Sequence, residues 1–151
     1  MFDALLRILT GADGARPAVE CNDPAFALAA LLIETARSDD RVGAPERRII
    51  ERALAHRFGL APWEIAHLLA AAEQSAIEAA DLYHFTRVVV DNFSEAERVG
   101  VIEMLWEVAY ADGRLSGDED TLIRRVAGLI YVSDHDRGDA KRRARERLQG
   151  A

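Results

Sequence analysis

The chain has 151 residues, 50% hydrophobic and 30% charged, a length that suits one domain with a substantial buried core. Ten Gly and four Pro exclude a disordered, collagenous or low-complexity chain. With 26 acidic against 19 basic residues and a net charge of -7, the broad basic surface of nonspecific nucleic-acid binding is excluded, whereas metal ions and basic partners remain open.

Taken in chain order, residues 1–23 read as a short N-terminal helix over about 2–10 followed by a flexible lead. Phe2, Leu5, Leu6 and Leu9 give that helix an apolar face, and Thr10 to Glu20 is rich in small residues and interrupted by Pro17. The stretch from Met1 to Pro17 lacks the basic start and long apolar core of a signal peptide. Cys21 is the sole cysteine, which excludes an internal disulfide or a multi-thiolate metal site and fits a reducing compartment. Residues 24–151 read as one helical domain, with helices over about 24–38, 45–57, 62–79, 81–92, 95–111, 117–130 and 134–148. Their apolar residues fall at helical spacing: Leu28, Leu31 and Leu32, then Ile50, Leu54 and Phe58, then Ile65, Leu68, Leu69 and Ala72. Val88-Val89-Val90 is β-prone but lies within Leu82, Phe85, Val88, Val89 and Phe93, a helical face. Pro24, Pro45 and Pro62 stand at helix starts, where a missing N–H costs nothing. Ser94 with Glu97 has capping-box spacing, and Gly43, Gly59, Gly113 and Gly117 fall at breaks. Trp63 and Trp106 read as packing residues. The basic tail Lys141-Arg142-Arg143-Ala-Arg145-Glu-Arg147 reads as a solvated face, or as a dock for an acidic partner or an anionic membrane surface. No apolar run approaches the roughly 18 to 20 residues of a membrane span. The expectation is a cytoplasmic, all-α, single-domain bundle of six to eight helices.

An internal repeat is the most informative feature. A shift of 73 positions lays Leu32-Ile-Glu34-Thr-Ala36-Arg-Ser-Asp39 and its continuation through Glu46 on Leu105-Trp-Glu107-Val-Ala109-Tyr-Ala-Asp112 through Glu119. Each copy reads helix, acidic turn, helix, which predicts two pseudo-repeated hairpins meeting at the centre of the bundle. Asp112-Gly113-Arg-Leu115-Ser-Gly-Asp-Glu119 has the spacing of the latter half of an EF-hand loop; the positions that would supply the first half, Val108 and Tyr110, carry no carboxylate. Two such half-loops pool Asp39, Glu46, Asp112 and Glu119, hard oxygen donors suited to Ca²⁺, Mg²⁺ or Mn²⁺. Against this stands the ordinary use of Asp before a turn glycine and of Glu in a first helical turn, as caps and dipole partners.

Glu64-x-x-His67 followed by Asp81-x-x-His84 is an imperfect version of the carboxylate and histidine pattern of di-iron bundles. No phosphate-binding glycine loop, nucleophile elbow or zinc helix is present, and the expectation is a protein that is not an enzyme.

The paired turns resemble those of the TerB-type tellurite-resistance family: Ala109-Tyr-Ala111-Asp112-Gly113 with Glu119 in full form, and Ala36-Arg-Ser38-Asp39-Asp40 with Glu46 as the weaker copy. Leu82-Tyr-His-Phe-Thr86, Phe93-Ser-Glu-Ala-Glu97-Arg98 and Leu129-Ile-Tyr-Val-Ser133 extend the resemblance from about Ala25 to Arg147. It implies an all-helical domain, used also at the N-terminus of some membrane-anchored J-domain co-chaperones, with an acidic metal-binding surface and no established enzyme activity. The first turn departs from the pattern, with Asp40 in place of Gly and Ser38 in place of Ala. The combined expectation is a non-enzymatic module that binds a divalent cation at the paired turns and docks a stress-response or envelope-associated protein partner. The alternatives are a scaffold domain with no ligand, whose carboxylates cap helices, and a carboxylate-bridged di-metal protein.

Overall fold

The computed structural model describes residues 23–37, 42–74, 79–111, 113 and 115–149. These residues form the helices α1 (Pro24–Ala36), α2 (Ala44–Phe58), α3 (Pro62–Gln74), α4 (Ala79–Asn92), α5 (Glu95–Ala109), α6 (Gly117–Leu129) and α7 (Asp134–Gln149), with no strand among them. Pro24 and Pro62 are the first residues of their helices and Pro45 is the second of α2. The Ser94–Glu97 capping box opens α5: Glu97 Oε1 accepts from the Ser94 N–H at 2.8 Å, and the Glu97 N–H donates to Ser94 Oγ at 3.2 Å. Val88 to Val90 are helical in α4. The expected helix over 2–10 and its lead lie outside the described residues. So do residues 75–78, and the helix expected over 62–79 is described as far as Gln74.

The core is organised around α1. Every residue from Ala25 to Ile33, together with Thr35 and Ala36, is buried, because α2, α3, α4, α5 and α6 all pack against this helix. A helix apolar on all sides finds its place only at the middle of a bundle. Thr35 carries a hydroxyl into that core and satisfies it by donating to the Leu31 carbonyl at 2.9 Å. Around α1 the flanking helices contribute one face each, Phe26 meeting Phe85 edge to face at 5.7 Å between ring centroids.

Of the two tryptophans, Trp106 is buried, but Trp63 is 61% exposed, contrary to the expectation from sequence. The buried face of α3 runs through Ile65, Leu68, Leu69 and Ala72, and a residue two before Ile65 points to the opposite side of the helix.

The helix ends follow the shift of 73: α1 ends at Ala36 and α5 at Ala109, while α2 starts at Ala44 and α6 at Gly117. The surroundings of the paired helices differ, since α1 is enclosed by five helices whereas the largest interface of α5 is with α7.

Helix α7 is polar nearly all round, yet it packs on α5 through two ladders of four-residue steps. On one side Arg143 Nε lies 3.2 Å from Glu103 Oε2 and Arg147 Nη2 lies 2.6 Å from Glu103 Oε1, with Arg147 also bonded to Glu107. On the other, the Lys141 ammonium sits 4.9 Å from the Trp106 ring centroid and the Arg145 guanidinium 5.9 Å from that of Tyr110. Ala140 and Ala144 are fully buried, and their small side chains let the two helices approach. The basic tail therefore serves largely as an internal clamp.

Candidate functional site

Acidic residues cluster at helix starts throughout the molecule, and the structure gives a local reason. The opening of α6 is a second capping box: the Glu119 N–H donates to Ser116 Oγ at 3.1 Å, and Glu119 Oε1 accepts from the Ser116 N–H at 3.2 Å. At the start of α3, Glu64 Oε1 accepts from the Ala61 N–H at 3.0 Å. At the start of α7, the Asp136 N–H donates to Ser133 Oγ at 3.1 Å. Glu46 occupies the same third helical position in α2, but there Gly43 caps the helix without a side-chain bond, and the Glu46 carboxylate folds back over the space a Cβ at Gly43 would take. A carboxylate at this position satisfies an orphan N–H and meets the positive end of the helix dipole.

Of the four candidate cation ligands, Asp39 and Asp112 lie outside the described residues. Glu46 and Glu119 are carried by α2 and α6, each packed chiefly on α1 and α5 rather than on the other. The first acidic turn is flanked by arginines: Arg37 Nη2 donates to the Glu73 carbonyl at 2.9 Å and Arg47 Nη2 to Glu73 Oε1 at 2.8 Å.

The di-metal pattern is not assembled. Glu64 caps α3, His67 is exposed, and His84 is half-buried with its ring 5.7 Å from that of Phe85. Among the described residues, the three metal-capable side chains drawn within 4.8 Å of one another are His135, Asp136 and Asp139. There His135 Nε2 is 3.2 Å from Asp139, whose other oxygen is 3.5 Å from Arg142.

A family model described as tellurite resistance protein TerB matches residues 25–142. The chain belongs to the TerB family. Membership identifies it as a tellurite-resistance-associated helical domain, and the matched span contains both acidic turns. No curated protein and no solved structure matches the chain.

Two surface features of this TerB domain were not expected from its sequence. The first is a groove of about 460 Å³ between α2, α5 and the end of α7. Its apolar lining comes from Ile49, Ala53, Met104 and Leu148, and Arg52, Glu103, Glu107 and Arg147 add charge. Burial raises the Glu107 carboxyl above its ordinary pKa and outweighs the opposing pull of Arg147. No local signal marks the groove, because it takes a few residues from each of three helices.

The second is an aromatic face at the end of α6. Here the Val132 N–H donates to the Ala127 carbonyl at 2.9 Å and the Tyr131 N–H to that of Gly128 at 3.4 Å, the paired bonds of a Schellman motif. That motif places its next residue in the left-handed region, normally a glycine position, and here Tyr131 holds it with φ 61°. Tyr131 is 73% exposed and Tyr83 60% exposed. Between them lies a depression of about 100 Å³ whose lining includes Val90 and Leu129.

Proposed function

We propose that the chain is a non-catalytic TerB-family module that docks a protein partner over the Tyr83–Tyr131 face. The observation that carries this reading is Tyr131 itself. An L-residue in the left-handed region costs on the order of 1 kcal/mol, and a side chain so exposed recovers little of that by packing. Aromatic side chains with an apolar body and a polar tip are the anchors that protein interfaces favour. The test compares wild type with Tyr131→Gly and Tyr83→Ala in capture from a cell extract that includes the envelope fraction. Tyr131→Gly is expected to fold at least as stably as wild type and to lose the captured protein. Undiminished capture by both variants would overturn the reading.

A second reading keeps a divalent cation, Ca²⁺, Mg²⁺ or Mn²⁺, at the acidic turns. It is favoured by one observation: Glu46 and Glu119 share the same helical position, each seven residues after an aspartate in sequence. Glu119→Gln separates ligand from cap, because glutamine still accepts from the Ser116 N–H but loses the charge a hard cation needs. At about a hundred times its dissociation constant a bound ion adds roughly 2.7 kcal/mol of stability. On this reading, thermal unfolding shows that gain in wild type and not in Glu119→Gln. An equal response in both proteins, or none, removes the cation and leaves the partner-docking module.

A further inference from the structure

The groove between α2, α5 and α7 lies apart from the aromatic face, and two of its lining residues, Arg147 and Leu148, fall outside the family match. Gly100 belongs to its lining. Gly100 sits inside α5, where glycine weakens a helix by roughly 0.5–1 kcal/mol relative to alanine, and a Cβ built on it would meet nothing within 4 Å. Nothing among the described residues fills the space that this glycine leaves open. Arg52, on the rim, has no carboxylate within 4.0 Å among the described residues, and its charge acts at longer range on Glu107.

The chain supplies a segment of matching size and chemistry. Residues 1–22 lie outside the described residues and lead directly into Asp23, the cap of α1. Their sequence puts Phe2, Leu5, Leu6 and Leu9 on one helical face, flanked by one acid, Asp3, and one base, Arg7. Phe2 to Leu9 spans seven helical steps, about 10 Å. The groove spans the same seven steps along each wall, from Ile49 to His56 on α2 and from Gly100 to Glu107 on α5. Thr10 to Asn22 would extend to as much as ~43 Å, more than the ~35 Å width expected of a domain this size, so reach is no obstacle.

We propose that residues 2–9 seat their apolar face in the α2–α5–α7 groove of the same chain, with one large side chain over Gly100. The groove is then an internal docking site, covered by the segment that precedes α1.

A photo-crosslink in the full-length chain tests this. Phe2→p-benzoylphenylalanine places a reactive ketone on the segment, and Met104, one of only two methionines in the chain, lines the groove as an efficient acceptor. The expected result is a crosslink from position 2 to Met104 or its groove neighbours within the monomer. That crosslink should be lost when either Leu6→Asp or Gly100→Leu is added. Leu6→Asp lies outside the described bundle, and Gly100→Leu adds a good helix former in the open space beside Gly100, so both keep the test independent of folding. Crosslinks to other faces, crosslinks between two chains, or a groove crosslink that survives both substitutions would each overturn the proposal.

Discussion

Helices α1 and α7 depart from the usual one-sided pattern in opposite directions, and both are packed. The first is apolar all round and enclosed by five helices. The second is polar almost all round and rests on α5 through two buried alanines, a carboxylate–arginine ladder and two cations over aromatic rings. The contrast separates two sources of order within one domain. Burial of apolar surface is not subject to charge screening or titration, whereas a half-exposed charge ladder responds to both.

The largest expected effect is on the α1 side. Leu32→Ala removes a fully buried side chain and should cost about 2–5 kcal/mol in urea unfolding, equally at low and high salt. A smaller cost would mean that the surrounding helices collapse into the cavity.

Next comes the α7 seam. Ala144→Leu should overpack it and cost about 1–3 kcal/mol. Hydrogen exchange should quicken in α7 well before it does in α1; uniform acceleration would show the two regions to be one cooperative unit.

Charge gives the third comparison. Arg147→Met leaves Glu107 without its bonded partner and should cost about 1 kcal/mol at low salt, a difference that shrinks at 1 M NaCl. A difference unaffected by salt would make packing of the arginine stem the cause.

The smallest effect is the pH dependence. The folded pKa of Glu107 is raised from its ordinary 4.5 by burial, so the folded state binds its proton more readily. The stability this contributes is full below about 4.5 and is lost as pH rises through the folded value. Glu97 has the opposite sign: hydrogen bonds from Ser94 lower its pKa, so its contribution is present above the ordinary value and lost as pH falls through the folded one. Stability curves of Glu107→Gln and Glu97→Gln should therefore diverge from wild type in opposite directions across the carboxylate range.

Much of the bundle is legible in the sequence because each helix announces itself locally. Pro24, Pro45 and Pro62 mark starts, and the apolar spacing of α2 through α6 marks the inward faces. The Ser94–Glu97 pair specifies its own cap, and the same spacing in Ser116-x-x-Glu119 identifies Glu119 as a cap, although the Asp112-Gly113 context also offers it as a metal ligand. A short-range rule and a family resemblance thus meet on one residue, and only the hydrogen bonds distinguish its present use. The α7 clamp is harder to read. Arg143 and Glu103, like Arg147 and Glu107, are 40 positions apart, and each looks like an ordinary surface charge until the helices are brought side by side. Tyr131 is illegible for a different reason, since left-handed backbone normally advertises itself through glycine.

The central position of α1 also bears on the order of synthesis. This helix leaves the ribosome before the other described helices, and its cover is not complete until α6, ending at Leu129, has followed. At about 5–20 residues per second that interval is on the order of ten seconds. During it the most apolar helix of the protein has few native neighbours, so a nascent-chain chaperone is expected to act on it before the domain can close.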